Sequence, residues 1–159
     1  CMALRPRKAL VLSPCFSEYE TALQVFGTEV DHYLLRQEAN FALTEEFLDD
    51  LERFDGELLM LCNPNNPTGQ VTERPLMEKI LEVCRRKGIF LFIDECFLDL
   101  TQGGEGVSMK PFLERTENLL LLKVAAASAI GADCFIGAYN FFDALKAGHI
   151  VQTFVMYDF

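Results

Sequence analysis

Short apolar runs separated by amphipathic segments constrain this chain more than any other feature. Residues 9–12, 58–62, 89–93 and 119–122 are continuous runs of aliphatic, aromatic and sulfur-bearing side chains. Runs this short, with no polar alternation, read as strands covered on both faces, and 29–35 reads as one more strand. The intervening segments carry helical spacing instead: Leu23, Val25 and Phe26; Phe47, Leu48 and Leu51; and Met77, Ile80, Leu81 and Cys84 within 75–86. The order β, α, β, α, β, α, β, loop, β predicts an α/β fold of three layers, a mostly parallel sheet between helices. Ligands of such folds gather at the carboxyl ends of the strands.

Local signals set the expected boundaries. Ser17 and Glu20 have capping-box spacing, and Gly27 suits a left-handed helix stop. Thr44 is placed to cap the second helix, with Glu45 and Glu46 in its first turn. Pro75 suits the first turn of the third helix and Gly88 its end, while the glycine-rich 102–106 reads as a loop. Beyond 122 the pattern weakens. Residues 124–132 are mostly small, 134–139 reads as a strand or part of a helix, 141–147 as helical and 151–157 as extended. Apolar edges left uncovered there favour dimerisation.

The 159 residues, 50% apolar and 24% charged, suit one soluble globular domain. A formal charge of −10 argues against a nonspecific grip on nucleic acid and for small molecules or proteins as partners. No apolar run reaches the roughly 18 to 20 residues that cross a bilayer, and 1–8 lacks the apolar core of a signal peptide, so no membrane association and a cytoplasmic location are expected. The six cysteines, Cys1, Cys15, Cys62, Cys84, Cys96 and Cys134, form no CxxC pair. With only His32 and His149 to assist, they read as reduced, mostly buried thiols and not as a metal site.

The most informative stretch is Asn63-Pro64-Asn65-Asn66-Pro67-Thr68-Gly69, directly after an apolar run. Its prolines fix φ and its Asn side chains can bond nearby backbone, so a stiff loop presents amide groups at the sheet's end. Such a loop serves equally as a rigid turn or as a platform for a ligand.

The loop resembles the N-P-x-N-P-T-G motif of fold-type I enzymes dependent on pyridoxal phosphate (PLP), the class I/II aminotransferases. Pro14-Cys15-Phe16-Ser17-Glu18-Tyr19-Glu20 before it, and 88–97 with Asp94-Glu95-Cys96-Phe97 after it, resemble that family's next landmarks in the same order. The match is closest to the histidinol-phosphate aminotransferase and threonine-phosphate decarboxylase branch, the latter an enzyme of cobalamin biosynthesis. The resemblance spans 1–123, as part of a large domain, with 124–159 a divergent segment completing or flanking it. It implies that Asn66 bonds the cofactor's ring hydroxyl, that Asp94 pairs with the protonated pyridine nitrogen, and that Phe16 stacks on the ring. Phe97 stands where many relatives carry a Tyr that contacts the ring hydroxyl. Tyr19 reads either as a substrate neighbour or as a surface helix position, and Glu95 and Asp99 read as solvated acids at a strand end.

The resemblance departs at the Schiff-base lysine, which the family carries in a pattern like S-x-T-K. An ungapped register puts Ala127 on that lysine and Phe135 on the arginine that binds the cofactor phosphate, with Gly137 on the family's glycine. Lys123, four positions earlier, is the alternative amine, with a structural or solvent-facing role as the other reading; Lys146 is a further alternative. The same register implies that the phosphate-cradling loop and the small C-terminal domain lie outside this sequence. The implied function is that of a PLP-dependent aminotransferase or decarboxylase acting on amino acids or amino acid phosphate esters, as a possible homodimer, impaired by Ala127. The alternative is an inactive remnant serving as a ligand-binding or protein-interaction module. A free-standing nucleotide-binding domain would need a GxGxxG or P-loop, and 103–106 follows the wrong order of elements.

Overall fold

The computed structural model describes residues 4–125, 135–139 and 152–154. Its core is a sheet whose order is β2-β1-β3-β4-β5-β6-β7 among the described residues. The strands are β1 (Lys8–Ser13), β2 (Glu29–Leu34), β3 (Leu58–Cys62), β4 (Phe90–Asp94), β5 (Leu119–Ala125), β6 (Phe135–Tyr139) and β7 (Gln152–Phe154). β1 to β5 run parallel, and β6 and β7 join antiparallel at the β5 side. Of the two readings of 134–139, strand or part of a helix, the strand is observed as β6, and part of the extended 151–157 as β7. The helix expected at 141–147 lies outside the described residues.

Strand alternation sorts the core into two faces. Leu10 and Leu12, Leu59 and Leu61, Leu91 and Ile93, and Leu119 and Leu121 point to one side. There they meet α2 (Phe47–Arg53) and α3 (Arg74–Lys87) through Phe47, Leu51, Met77, Ile80 and Cys84, all fully buried. Ala9, Val11, Leu58, Met60 and Cys62 point to the other, where α1 (Glu18–Gln24) covers them with Tyr19 and Leu23. Each fully buried Leu stabilises the fold by about 1.5–3 kcal/mol relative to exposure. Cys84, inside this core, has its thiol pKa pushed up to about 12 by burial.

Several local expectations need correction. Ser17 already has helical dihedrals and makes no side-chain cap, and Glu20 accepts instead from Gln24 Nε2 at 2.7 Å, so no capping box forms. Thr44 does not cap α2 with its hydroxyl; its carbonyl accepts the Phe47 N–H in a preceding turn, and Glu46 occupies the N-cap. The stretch 102–106 is not all loop, because the one-turn helix α4 (Gly104–Val107) begins there. Gly88 ends α3 at φ 72°, where a side chain would be strained, as its position after Lys87 suggests.

Candidate functional site

The chain leaves β1 to form β2 on one side and returns to place β3 on the other. This reversal opens a crevice beyond the carboxyl ends of β1 and β3, the place where open α/β sheets bind ligands. The loop after β1 carries Phe16, and the loop after β3 is Asn63 to Gly69. Asn65 Nδ2 bridges them, donating to the Pro14 carbonyl at 3.1 Å and to Thr68 Oγ1 at 3.0 Å. Asn63 braces the base of its loop: its side-chain amide donates to the Thr72 carbonyl and its side-chain oxygen accepts the Thr72 N–H. Gly69, at φ 70°, returns its N–H to the Asn65 carbonyl at 2.7 Å. The stiffness expected of this loop thus comes from side-chain bonds as well as from its prolines.

Asp94 ends β4 in register with Cys62 on β3 and is 9% exposed. Tyr19 Oη donates to its Oδ2 at 2.7 Å, and the Cys96 N–H donates to Oδ1 at 2.9 Å. Two donors on about four lone-pair sites orient the carboxylate and leave acceptor capacity. Tyr19 is buried, neither a surface position nor an open substrate contact, and its ring meets Phe16 and Phe92 edge-on at 5.5 and 6.4 Å. Burial, followed by the Asp94 charge, raises the Tyr19 pKa, so the hydroxyl remains a donor. The Cys62 thiol lies beside the Tyr19 hydroxyl and the Asn66 backbone amide, and burial pushes its pKa up despite those donors.

Phe16 is 42% and Phe97 51% exposed, so two large apolar rings, in the loops after β1 and β4, are left out of the core. Asn66 is half-buried in the loop after β3. Phe16, Asn66, Asp94 and Phe97 therefore all fall at the carboxyl ends of β1, β3 and β4, as the sequence places them.

Lys123 is brought elsewhere. It continues the row Leu119, Leu121 on the face of α2 and α3, opposite Asp94 and Tyr19, and is 7% exposed rather than solvent-facing. Its Nζ lies 3.7 Å from Glu95 Oε2 and 3.5 Å from Asp99 Oδ1. Glu95 is no solvated strand end: it is 1% exposed, whereas the Asp99 side chain is 49% exposed. Ala127, Lys146 and His149 lie outside the described residues. His32 stands off the crevice, with Nδ1 2.8 Å from Ser13 Oγ and Nε2 3.7 Å from Glu20. Among the described residues no cluster of three His, Cys, Asp or Glu could hold a metal, and no helix is long and apolar enough to cross a membrane.

Sequence reasoning missed Tyr19 as the partner of Asp94 and Glu95 as a buried group. For Glu95 a signal existed, since it shares parity with Leu91 and Ile93.

Comparison with known proteins agrees with this architecture. The chain is 42% identical over 96 residues to the threonine-phosphate decarboxylase of Salmonella typhimurium, covering 60% of this chain and 26% of that protein. It is 30% identical over 139 residues to the histidinol-phosphate aminotransferase of Caldanaerobacter subterraneus, covering 87% of this chain and 36% of the relative. The solved histidinol-phosphate aminotransferase of Clostridium acetobutylicum superposes with a TM-score of 0.70 at 23% identity, over 84% of this chain and 40% of that one. The chain thus spans well under half the length of these proteins. Residues 1–128 match the model of the family described as aminotransferase class I and II, and with the fold and the three motifs in order, the chain belongs to that family.

Proposed function

We propose that this chain forms the ring-binding part of a PLP site of the threonine-phosphate decarboxylase or histidinol-phosphate aminotransferase type, and that it holds the ring without a lysine link. The family's enzymes are PLP-dependent. The observation that carries the reading is the Asp94 carboxylate at the end of β4, oriented by the Cys96 N–H and by Tyr19, whose ring meets the exposed Phe16. This donor and acceptor set fits a flat, protonated pyridine. Asp94 would pair with the ring nitrogen, Asn66 with the ring hydroxyl, and Phe16 and Phe97 would supply apolar contact. When bound, the cofactor supplies an electron sink for a carbanion at an amino acid's α carbon, and the carboxylate keeps the nitrogen protonated for that purpose.

Two features support a non-covalent hold and impaired turnover. In the ungapped register, position 127 takes the place of the family's lysine, and Ala127 offers no amine. Lys123 is engaged by Glu95 and Asp99 on the other face of the sheet. The substrate class of this reading is an amino acid or its phosphate ester, and a homodimer in the cytoplasm belongs to the same reading.

The test is a titration of the chain with PLP followed by absorbance, then borohydride reduction and peptide mapping. The expected result is a saturable spectral change, weakened by Asp94→Asn, with no lysyl peptide carrying the cofactor. A stoichiometric label on Lys123 or another lysine would overturn the non-covalent hold. A spectrum indistinguishable from free PLP would overturn ring binding.

A further inference from the structure

Asp94 and Glu95 are consecutive at the end of β4, so their side chains leave opposite faces of the sheet. The row Phe90, Phe92 ends in Asp94 beside Tyr19, and the row Leu91, Ile93 ends in Glu95 beside Met109. The Glu95 side chain has no exposed surface. Its Oε1 accepts the Met109 N–H at 2.8 Å, its Oε2 accepts the Ser108 hydroxyl at 2.7 Å, and Lys123 Nζ lies 3.7 Å from Oε2. Its own N–H donates to the Leu122 carbonyl at 2.7 Å, and its carbonyl accepts the Leu98 N–H at 3.1 Å. A carboxylate removed from water is tolerated where such donors hold it in one place. Residue 95 is thereby tied to β5, to the 108–109 turn and to the turn at 98.

We infer that Glu95 is a positioning residue for Asp94: by clamping the end of β4 to Ser108, Met109 and Lys123, it fixes the direction in which the neighbouring carboxylate faces Tyr19 and the ring nitrogen. The inference rests on Asp94 as the ring's partner. Movement of the backbone at 95 turns Asp94, because the two share a peptide bond; the Asp94 carbonyl is held by the Asn63 N–H at 2.8 Å, and among the described residues Tyr19 and the Cys96 N–H are what hold its side chain.

Two double variants of equal charge separate the clamp from the burial of Lys123. Glu95→Gln/Lys123→Met keeps an acceptor for the Met109 N–H and a partner for the Ser108 hydroxyl; Glu95→Ala/Lys123→Met keeps neither. The 13Cζ resonance of labelled Tyr19, assigned by its loss in Tyr19→Phe, responds to the bond its hydroxyl donates and so reports the position of Asp94 without any cofactor; PLP affinity is the second readout. With both proteins cooperatively folded, the Gln variant is expected to match the wild type in both readouts. The Ala variant is expected to shift the Tyr19 resonance away from its wild-type position and to lose about tenfold in PLP affinity. A folded Ala variant with an unchanged Tyr19 resonance overturns the positioning role, whatever PLP does. If the wild type shows no PLP affinity, ring binding fails separately and Tyr19 still decides the clamp. Should the Ala variant not fold, Ser108→Ala decides: a smaller shift in the same direction supports the clamp, and no shift overturns it.

Discussion

The two acids that end β4 share a charge and a peptide bond, yet one faces the crevice and the other a sealed interior. Asp94 receives one donor on each oxygen and keeps acceptor capacity, while Phe16 and Phe97, in the loops after β1 and β4, stay outside the core. Glu95 also accepts two hydrogen bonds, from a backbone N–H and a hydroxyl, but has no exposed surface and an ammonium 3.7 Å away. The difference lies in surroundings: a carboxylate that keeps some contact with solvent at a strand end is equipped to take a ligand, and one shut away beside a buried cation is equipped to hold a fold. Tyr19 and Lys123 follow the same division, each serving the acid on its own face.

Breaking the sealed side should have the largest effect on the fold. Glu95→Ala takes a buried carboxylate away from the buried Lys123 ammonium and is expected to lower the unfolding free energy by about 3 kcal/mol, read by urea denaturation. On the crevice side the expected pattern reverses: Asp94→Asn should weaken PLP binding about tenfold to a hundredfold in a spectral titration, the scale of a lost charge-assisted hydrogen bond. Its unfolding midpoint should move less than that of Glu95→Ala.

Tyr19→Phe tests the link between face and acid more gently. Loss of one buried bond to a carboxylate should cost about 1.5–3 kcal/mol by urea denaturation. Because the folded pKa of Tyr19 is raised above its usual value of 10.0, the protonated phenol contributes stability that is fully present below that value and is lost as pH rises past it. Wild-type stability should therefore fall more steeply above about pH 10 than that of Tyr19→Phe. Smallest of all, Phe97→Ala should change stability by about 0.5 kcal/mol or less, since half of its surface is exposed, while still weakening PLP binding measurably. Equal losses of stability for Phe97→Ala and Glu95→Ala would dissolve the comparison.

The doubly covered strands β1, β3, β4 and β5 were readable because continuous apolar runs have few alternative fates. That same continuity hid which face each residue takes, since a strand buried on both sides shows no polar alternation to mark inside from outside. The burial of Glu95 shows only when its parity with Leu91 and Ile93 is followed, and for Lys123 the structural reading stands while the solvent-facing one does not. Tyr19 was missed because its partner lies 75 positions away, in a contact made only once β1, β3 and β4 are side by side. Ser17 and Thr44 misled because their spacing suits a cap, whereas the observed turns already satisfy the amides with backbone carbonyls. The positions of Phe16, Asn66, Asp94 and Phe97 at strand ends were legible, because loop motifs directly after apolar runs fix where a residue emerges.

Nuclear magnetic resonance of PLP labelled with 15N in the ring shows whether Asp94 holds a protonated ring nitrogen. The chain and its Asp94→Asn variant are compared at a pH where the free compound is unprotonated. A protonated nitrogen resonance is expected with the wild type and an unprotonated one with the variant. A bound nitrogen that resonates as unprotonated in the wild type, or as protonated in both, would contradict it.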